Sequence, residues 1–182
     1  MTGKPGCRKK TPHKWFETQD NIAFWKDFEK EKIVWQEIVR EPSFTYENGK
    51  MYCEATSFLM VGKNLKYILG LLNSMPITFF FKTFYAGGGL GNEGYRYKKA
   101  FLEQIPLPPL SSKNKHIVQE IENLVNKILS LTQSENYLEN PQKQAKVKEY
   151  QRQIDQLVYK LYELTDEEIK IVEGEFNKHK KK

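Results

Sequence analysis

The sequence predicts an α+β fold: a mixed α/β domain over residues 13–110, then an antiparallel helical hairpin and a short C-terminal helix over residues 111–182. Three observations carry this. Residues 13–110 are dense in aromatics, and their short apolar runs are broken by turn residues. Ile105-Pro106-Leu107-Pro108-Pro109 is a stiff, donor-poor connector at which that texture ends. Beyond it, apolar residues recur at coiled-coil spacing.

Residues 1–12, opening Met1-Thr2-Gly3-Lys4-Pro5-Gly6, read as a linker. Lys32-Ile33-Val34-Trp35 reads as a short strand. The run 44–53 places Asn48-Gly49 between two half-alternating stretches, a hairpin signal. Ser57-Phe58-Leu59-Met60-Val61-Gly62 is the next strand. Over 65–73, Leu65, Ile68, Leu69 and Leu72 keep helical spacing, and Pro76 is expected to end that helix. After the connector, Ile117, Ile121, Leu124, Ile128 and Leu131 form one narrow seam. Val147, Tyr150, Ile154, Leu157, Leu161 and Leu164 form a second. The polar segment 132–142 with Asn140-Pro141 lets the two helices fold back on each other. A third helix starts at Thr165, where Thr165 and Glu168 make a capping box, and Ile169, Val172 and Phe176 supply its apolar face. Lys178-His179-Lys180-Lys181-Lys182 reads as a solvated tail.

Composition limits the function classes. The chain has 182 residues, room for one domain plus a helical element and too few for two enzyme domains. The 29 Lys+Arg exceed the 23 Asp+Glu, a net charge of +6 that favours an anionic partner. Residues 62–110 hold Lys63, Lys66, Lys82, Arg96, Lys98 and Lys99 against Glu93 and Glu103, so much of the excess sits in a segment also rich in aromatics and glycine. Cys7 and Cys53 lack metal-ligand spacing, which argues for a reducing compartment and no structural zinc. No stretch approaches the roughly 18 apolar residues that span a bilayer, so the expected location is the cytoplasm, with no membrane partner.

Gly89-Leu90-Gly91-Asn92-Glu93-Gly94 matches the dinucleotide-binding spacing G-x-G-x-x-G. Tyr95-Arg96-Tyr97-Lys98-Lys99 and then the proline connector come next in the chain, with no parallel strand, so the motif does not open a nucleotide fold. Gly87-Gly88-Gly89 alone would be a surface loop. Flanked by Lys82 and Tyr85 before and by the basic, aromatic run after, it reads instead as a loop beside a duplex. Glycines let backbone approach, arginine contacts a guanine edge or a phosphate, and lysines neutralise phosphates. Because Tyr95 and Tyr97 alternate with Arg96, one of those faces can equally be core. Lys82, Arg96, Lys98 and Lys99 are the DNA-contact candidates, with Asn92 and Tyr97 beside them.

Catalytic patterns are missing. Pro108-Pro109, flanked by leucines, is not the Asn-Pro-Pro-aromatic loop that holds a flipped adenine. Glu168-Ile169-Lys170 lacks the preceding Pro-Asp of a metal-dependent nuclease and reads as helix surface. His13, His116 and His179 have no partner pattern. The sequence therefore names no catalytic or metal-binding residue.

Several segments together resemble the C-terminal specificity domain of TaqI-like and type IIG restriction-modification enzymes, which are adenine methyltransferases. These are Lys14-Trp15-Phe16-Glu17-Thr18, Phe28-Glu29-Lys30-Glu31-Lys32-Ile33-Val34-Trp35, Leu69-Gly70-Leu71-Leu72-Asn73-Ser74, and the run from Gly89 through Tyr95-Arg96-Tyr97-Lys98-Lys99 to Pro108. The end, Ile154-Asp155-Gln156-Leu157-Val158-Tyr159-Lys160-Leu161-Tyr162-Glu163-Leu164-Thr165-Asp166-Glu167-Glu168-Ile169, looks similar to the ends of such proteins, and type I specificity subunits are a more distant likeness. The resemblance implies a recognition module for double-stranded DNA that serves a separate methyltransferase or nuclease domain. S-adenosylmethionine would then belong to that other domain, with no cofactor here. A split or truncated gene product fits this pattern. The alternative is an assembly module whose helices 113–164 dock on the modification or restriction subunit.

Overall fold

The computed structural model describes residues 24–54, 56–85 and 94–179, with side chains to residue 174. The architecture is α+β. Strand β1 (Glu31–Gln36) is the centre of a three-stranded antiparallel sheet, between β3 (Thr45–Asn48) and β4 (Ser57–Met60). One face of β1 sends Ile33 and Trp35 into the core. The other face carries Lys32, which is also fully buried. Its ammonium pairs with Glu47, its cross-strand neighbour, and donates to Phe28 O at 2.7 Å in the 3-10 turn Trp25–Glu29.

The hairpin expected over 44–53 does not form. β3 pairs with β1, not with the residues after Asn48. The Glu47 carboxylate explains why: it accepts from the backbone N–H of Gly49 at 2.9 Å and of Lys50 at 2.8 Å, so the turn closes on a side chain rather than on a ladder. Gly49 is required there, since its φ is +90° and a Cβ would lie 2.4 Å from Glu29 O.

Helix α1 (Leu65–Leu72) is buried on most of its surface, because it lies between the sheet and the helical pair. Gly70 makes this possible: a Cβ would meet Ile121 Cγ2 at 2.6 Å. Asn73 ends the helix, and its amide clamps the backbone of Phe44, donating to its O at 2.9 Å and accepting from its N at 3.2 Å. Pro76 does not follow this helix into a loop; it sits in the first turn of a second, α2 (Met75–Tyr85). Proline fits there because the first turn's N–H groups have no intrahelical acceptor. The run Met75-Pro76-Ile77-Thr78-Phe79-Phe80-Phe81 has little apolar contrast, which hid the helix from periodicity.

Helices α4 (Lys115–Thr132) and α5 (Pro141–Leu161) form the antiparallel hairpin, with α3 (Lys99–Leu102) preceding them. Asn140 caps α5 by accepting from Lys143 N at 3.1 Å, and Pro141 occupies its first position. The seam on α4 is broader than a narrow coiled-coil stripe. Val118 and Val125 are buried beside Ile121 and Leu124, because α4 packs on both α5 and α1. One hydrophobic core thus runs from Trp35 and Phe81 through Leu71 to Ile121 and Val158. Helix α6 (Asp166–His179) begins with the capping box, Thr165 N–H donating to Glu168 Oε2 at 2.8 Å, and packs on α2.

Candidate nucleic-acid interface

Two short strands present the basic segment. β2 (Ile38–Val39) pairs antiparallel with β5 (Tyr95–Arg96), Ile38 opposite Arg96 and Val39 opposite Tyr95. The next residue is tied at both ends: Tyr97 N–H donates to Glu37 O at 2.8 Å, and Trp35 Nε1 donates to Tyr97 O at 2.9 Å. Extended backbone sends alternate side chains to opposite faces, so these bonds set which residues of 95–98 turn inward.

Tyr97 turns inward. It is 2% exposed, its ring stacks on Phe81 at 4.1 Å between centroids, and Phe44 meets it edge-on at 5.2 Å. The DNA-contact reading of Tyr97 gives way to a packing one, because a ring held between two core aromatics has no surface to offer. Its hydroxyl finds no hydrogen-bond partner among the described residues, and burial, with the fields of Glu41 and Tyr95 adding, pushes the hydroxyl's pKa well up.

Arg96 and Lys82 stand on the rim. The Arg96 side chain is 35% exposed, with Nη1 3.8 Å from Glu37 Oε1. Lys82, in the last turn of α2, is 15% exposed; its ammonium lies 3.4 Å from Glu41 Oε2 and 4.6 Å above the Tyr95 ring. Tyr95 therefore acts as a platform joining α2 to β5. Lys98 and Lys99 stand at the start of α3, both exposed, Lys99 3.5 Å from Glu103. Asn92 and the glycines 87–89 lie outside the described residues.

Glu37 and Glu41 flank β2, and no local sequence signal marks them as counter-ions. They reach Arg96 and Lys82 only because β2 pairs with β5 and α2 packs beside it. Such part-exposed pairs are worth at most about 1 kcal/mol. The two cations can therefore exchange a carboxylate for a phosphate at small cost. Arg96 Nε is buried and without a partner among the described residues.

Among the described residues, no group of three His, Cys, Asp or Glu could hold a metal ion. No described helix is long and apolar enough to cross a membrane. The family model of the TaqI-like C-terminal specificity domain matches residues 2–107. The chain belongs to that family. The TaqI-like match takes in both small sheets, α1, α2, α3 and all the candidate cations, and it ends within the proline connector. Helices α4 to α6 lie beyond the stretch matched to the TaqI-like domain, so the likeness of the 154–169 segment is outside it. No curated protein matches the chain.

Proposed function

We propose that this chain recognises double-stranded DNA in a sequence-specific manner for a restriction-modification system, and that it directs a separate adenine methyltransferase or nuclease domain. The TaqI-like specificity match over residues 2–107 carries this reading, because the four described candidate cations fall inside it. On this reading Lys98 and Lys99 neutralise phosphates, while Arg96 and Lys82 leave Glu37 and Glu41 to meet the duplex. Chemistry and S-adenosylmethionine binding belong to the partner domain.

The test is duplex affinity across a salt series for wild type and for R96A/K98A/K99A. Loss of affinity is expected, with a salt slope shallower by roughly 0.9 for each phosphate contact removed. Unchanged affinity and slope would overturn the reading.

One observation favours a second role, docking on the methyltransferase or nuclease chain. An apolar groove of about 410 Å³ runs between α2 and α6, lined by Phe79, Phe80, Leu164 and Ile171, and Ile171 is 58% exposed. In that case I171K abolishes co-purification with the modification subunit while leaving DNA affinity intact.

A further inference from the structure

Helix α5 carries its charges in an order that packing does not explain. Residues 141–152 hold Lys143, Lys146, Lys148 and Arg152 against Glu149 alone, with no acid in the first turn. The first turn of a helix is the positive end of its macrodipole, where acids stabilise and a cation such as Lys143 is unfavourable, while Lys148 and Arg152 lie beyond its reach. Helix α6 obeys that rule with Asp166, Glu167 and Glu168 in its first turn. Two of the α5 cations are occupied within the hairpin: Lys143 donates to Ser134 Oγ at 2.9 Å, and Lys146 lies 5.2 Å over the Tyr150 ring.

Lys148 and Arg152 are different. Spaced four apart, they share one helix face. Both are exposed and line a cleft of about 580 Å³. Lys82 lines the same cleft from α2, with Glu41, Thr78 and Asp155. With no duplex present, the two acids are engaged. Glu41 pairs with Lys82, and the Asp155 carboxylate accepts from Met75 N–H at 2.8 Å. Arg152 holds Glu149 only loosely, at 3.8 Å on an exposed face. The cleft therefore joins the candidate DNA rim, through Lys82, to two cations on the hairpin.

We infer that Lys148 and Arg152 form a second phosphate-contacting strip, so that the bound duplex crosses the cleft from the β2–β5 rim onto α5. This inference rests on the DNA-recognition reading. The hairpin then is part of the binding surface and contributes a sequence-independent contact, since it meets backbone rather than base edges. Its two cations add affinity equally for target and non-target duplexes, and they fix the direction in which the duplex leaves the specificity domain.

The experiment uses the full chain and a 30-base-pair duplex of randomised sequence, titrated over a salt series. The variants are K148A/R152A, the charge-keeping K148R/R152K, and R96A/K98A/K99A. Because Lys148 and Arg152 are exposed, their replacement leaves the core untouched. K148A/R152A is expected to lose about tenfold or more in affinity at 0.1 M salt, with a slope shallower by about 1.8, while K148R/R152K keeps both. If R96A/K98A/K99A weakens binding but K148A/R152A keeps the wild-type affinity and slope, the strip is wrong and the recognition reading stands. If wild type binds no duplex, both fall. Replacing chloride by inorganic phosphate at constant ionic strength separates a duplex contact from a small-anion pocket. Unchanged wild-type affinity supports the strip, whereas displacement that K148A/R152A abolishes assigns the two cations to a free anion and overturns it.

Discussion

Asp155 offers the sharpest test of the energetics. It lies on α5, 7% exposed, and its Oδ1 accepts from the N–H of Met75, the first residue of α2. Two effects oppose each other there. Burial disfavours the charged carboxylate, and Glu173 on α6 adds a like charge; the Met75 hydrogen bond favours ionisation. Burial wins, lifting the pKa from 3.8 to about 6. Lys82, Lys148, Arg152 and Glu41 share the cleft, and Tyr159, whose hydroxyl is 3.5 Å from Glu173 Oε1, is the neighbour on the same helix. The sign is set by linkage. A carboxyl whose folded pKa exceeds its unfolded value stabilises the fold most below pH 3.8, and that contribution is lost as pH rises through 6. At 1.36 kcal/mol per pKa unit, the ionised form at pH 8 costs about 3 kcal/mol relative to the acid. In D155N the amide oxygen still accepts from Met75 without a charge. D155N is expected to be more stable than wild type by up to about 3 kcal/mol at pH 8, the gap narrowing towards pH 5. Urea midpoints measured from pH 5 to 8 check this; with slopes of about 1–3 kcal/mol per molar urea, the shift at pH 8 is about 1 M or more. A variant less stable than wild type at pH 8, or parallel profiles, would refute the argument and make the carboxylate a net-favourable cap for α2.

Four further outcomes rest on particular contacts. E47Q is expected to cost about 3–5 kcal/mol in chemical denaturation, because it leaves the Lys32 ammonium buried without its counter-charge. Burial opposes ionisation of Glu47, but Lys32 and the N–H groups of Lys50, Gly49 and Met51 hold its pKa near about 2, so this stabilisation persists through mildly acidic pH and fades only as pH falls towards that value. G70A gains about 1 kcal/mol of helix propensity and loses about 1–3 from overpacking on Ile121, a lower melting temperature being the expected sum. Y97F removes a buried hydroxyl that has no described partner, so thermal stability is expected to hold or rise and duplex affinity to stay unchanged. E41Q removes the carboxylate beside Lys82, and a filter or fluorescence assay is expected to show several-fold tighter binding to random duplex, reversed at high salt.

Sequence alone determined the features that act over a few residues. The strand at 32–35, the helix at Leu65, the hairpin of two long helices and the Thr165–Glu168 cap were all legible, because periodicity and capping are local, whereas one core runs across the proline connector from Trp35 to Val158. The clustering of positive charge before residue 110 and the resemblance to the TaqI-like specificity domain were legible as well, and the family match agrees with the latter. Tertiary structure decided the rest. It turned Tyr97 into the core through the bonds from Tyr97 N–H to Glu37 and from Trp35 to Tyr97 O, and it gave β3 to β1 when Glu47 captured the turn. It brought Glu37 and Glu41 to Arg96 and Lys82, and set Lys148 and Arg152 in one cleft with Lys82 and Glu41. The physical reason is the same in each case. A residue's propensity is set by its neighbours in the chain, whereas its burial and its charge partners depend on which distant segments the core brings together.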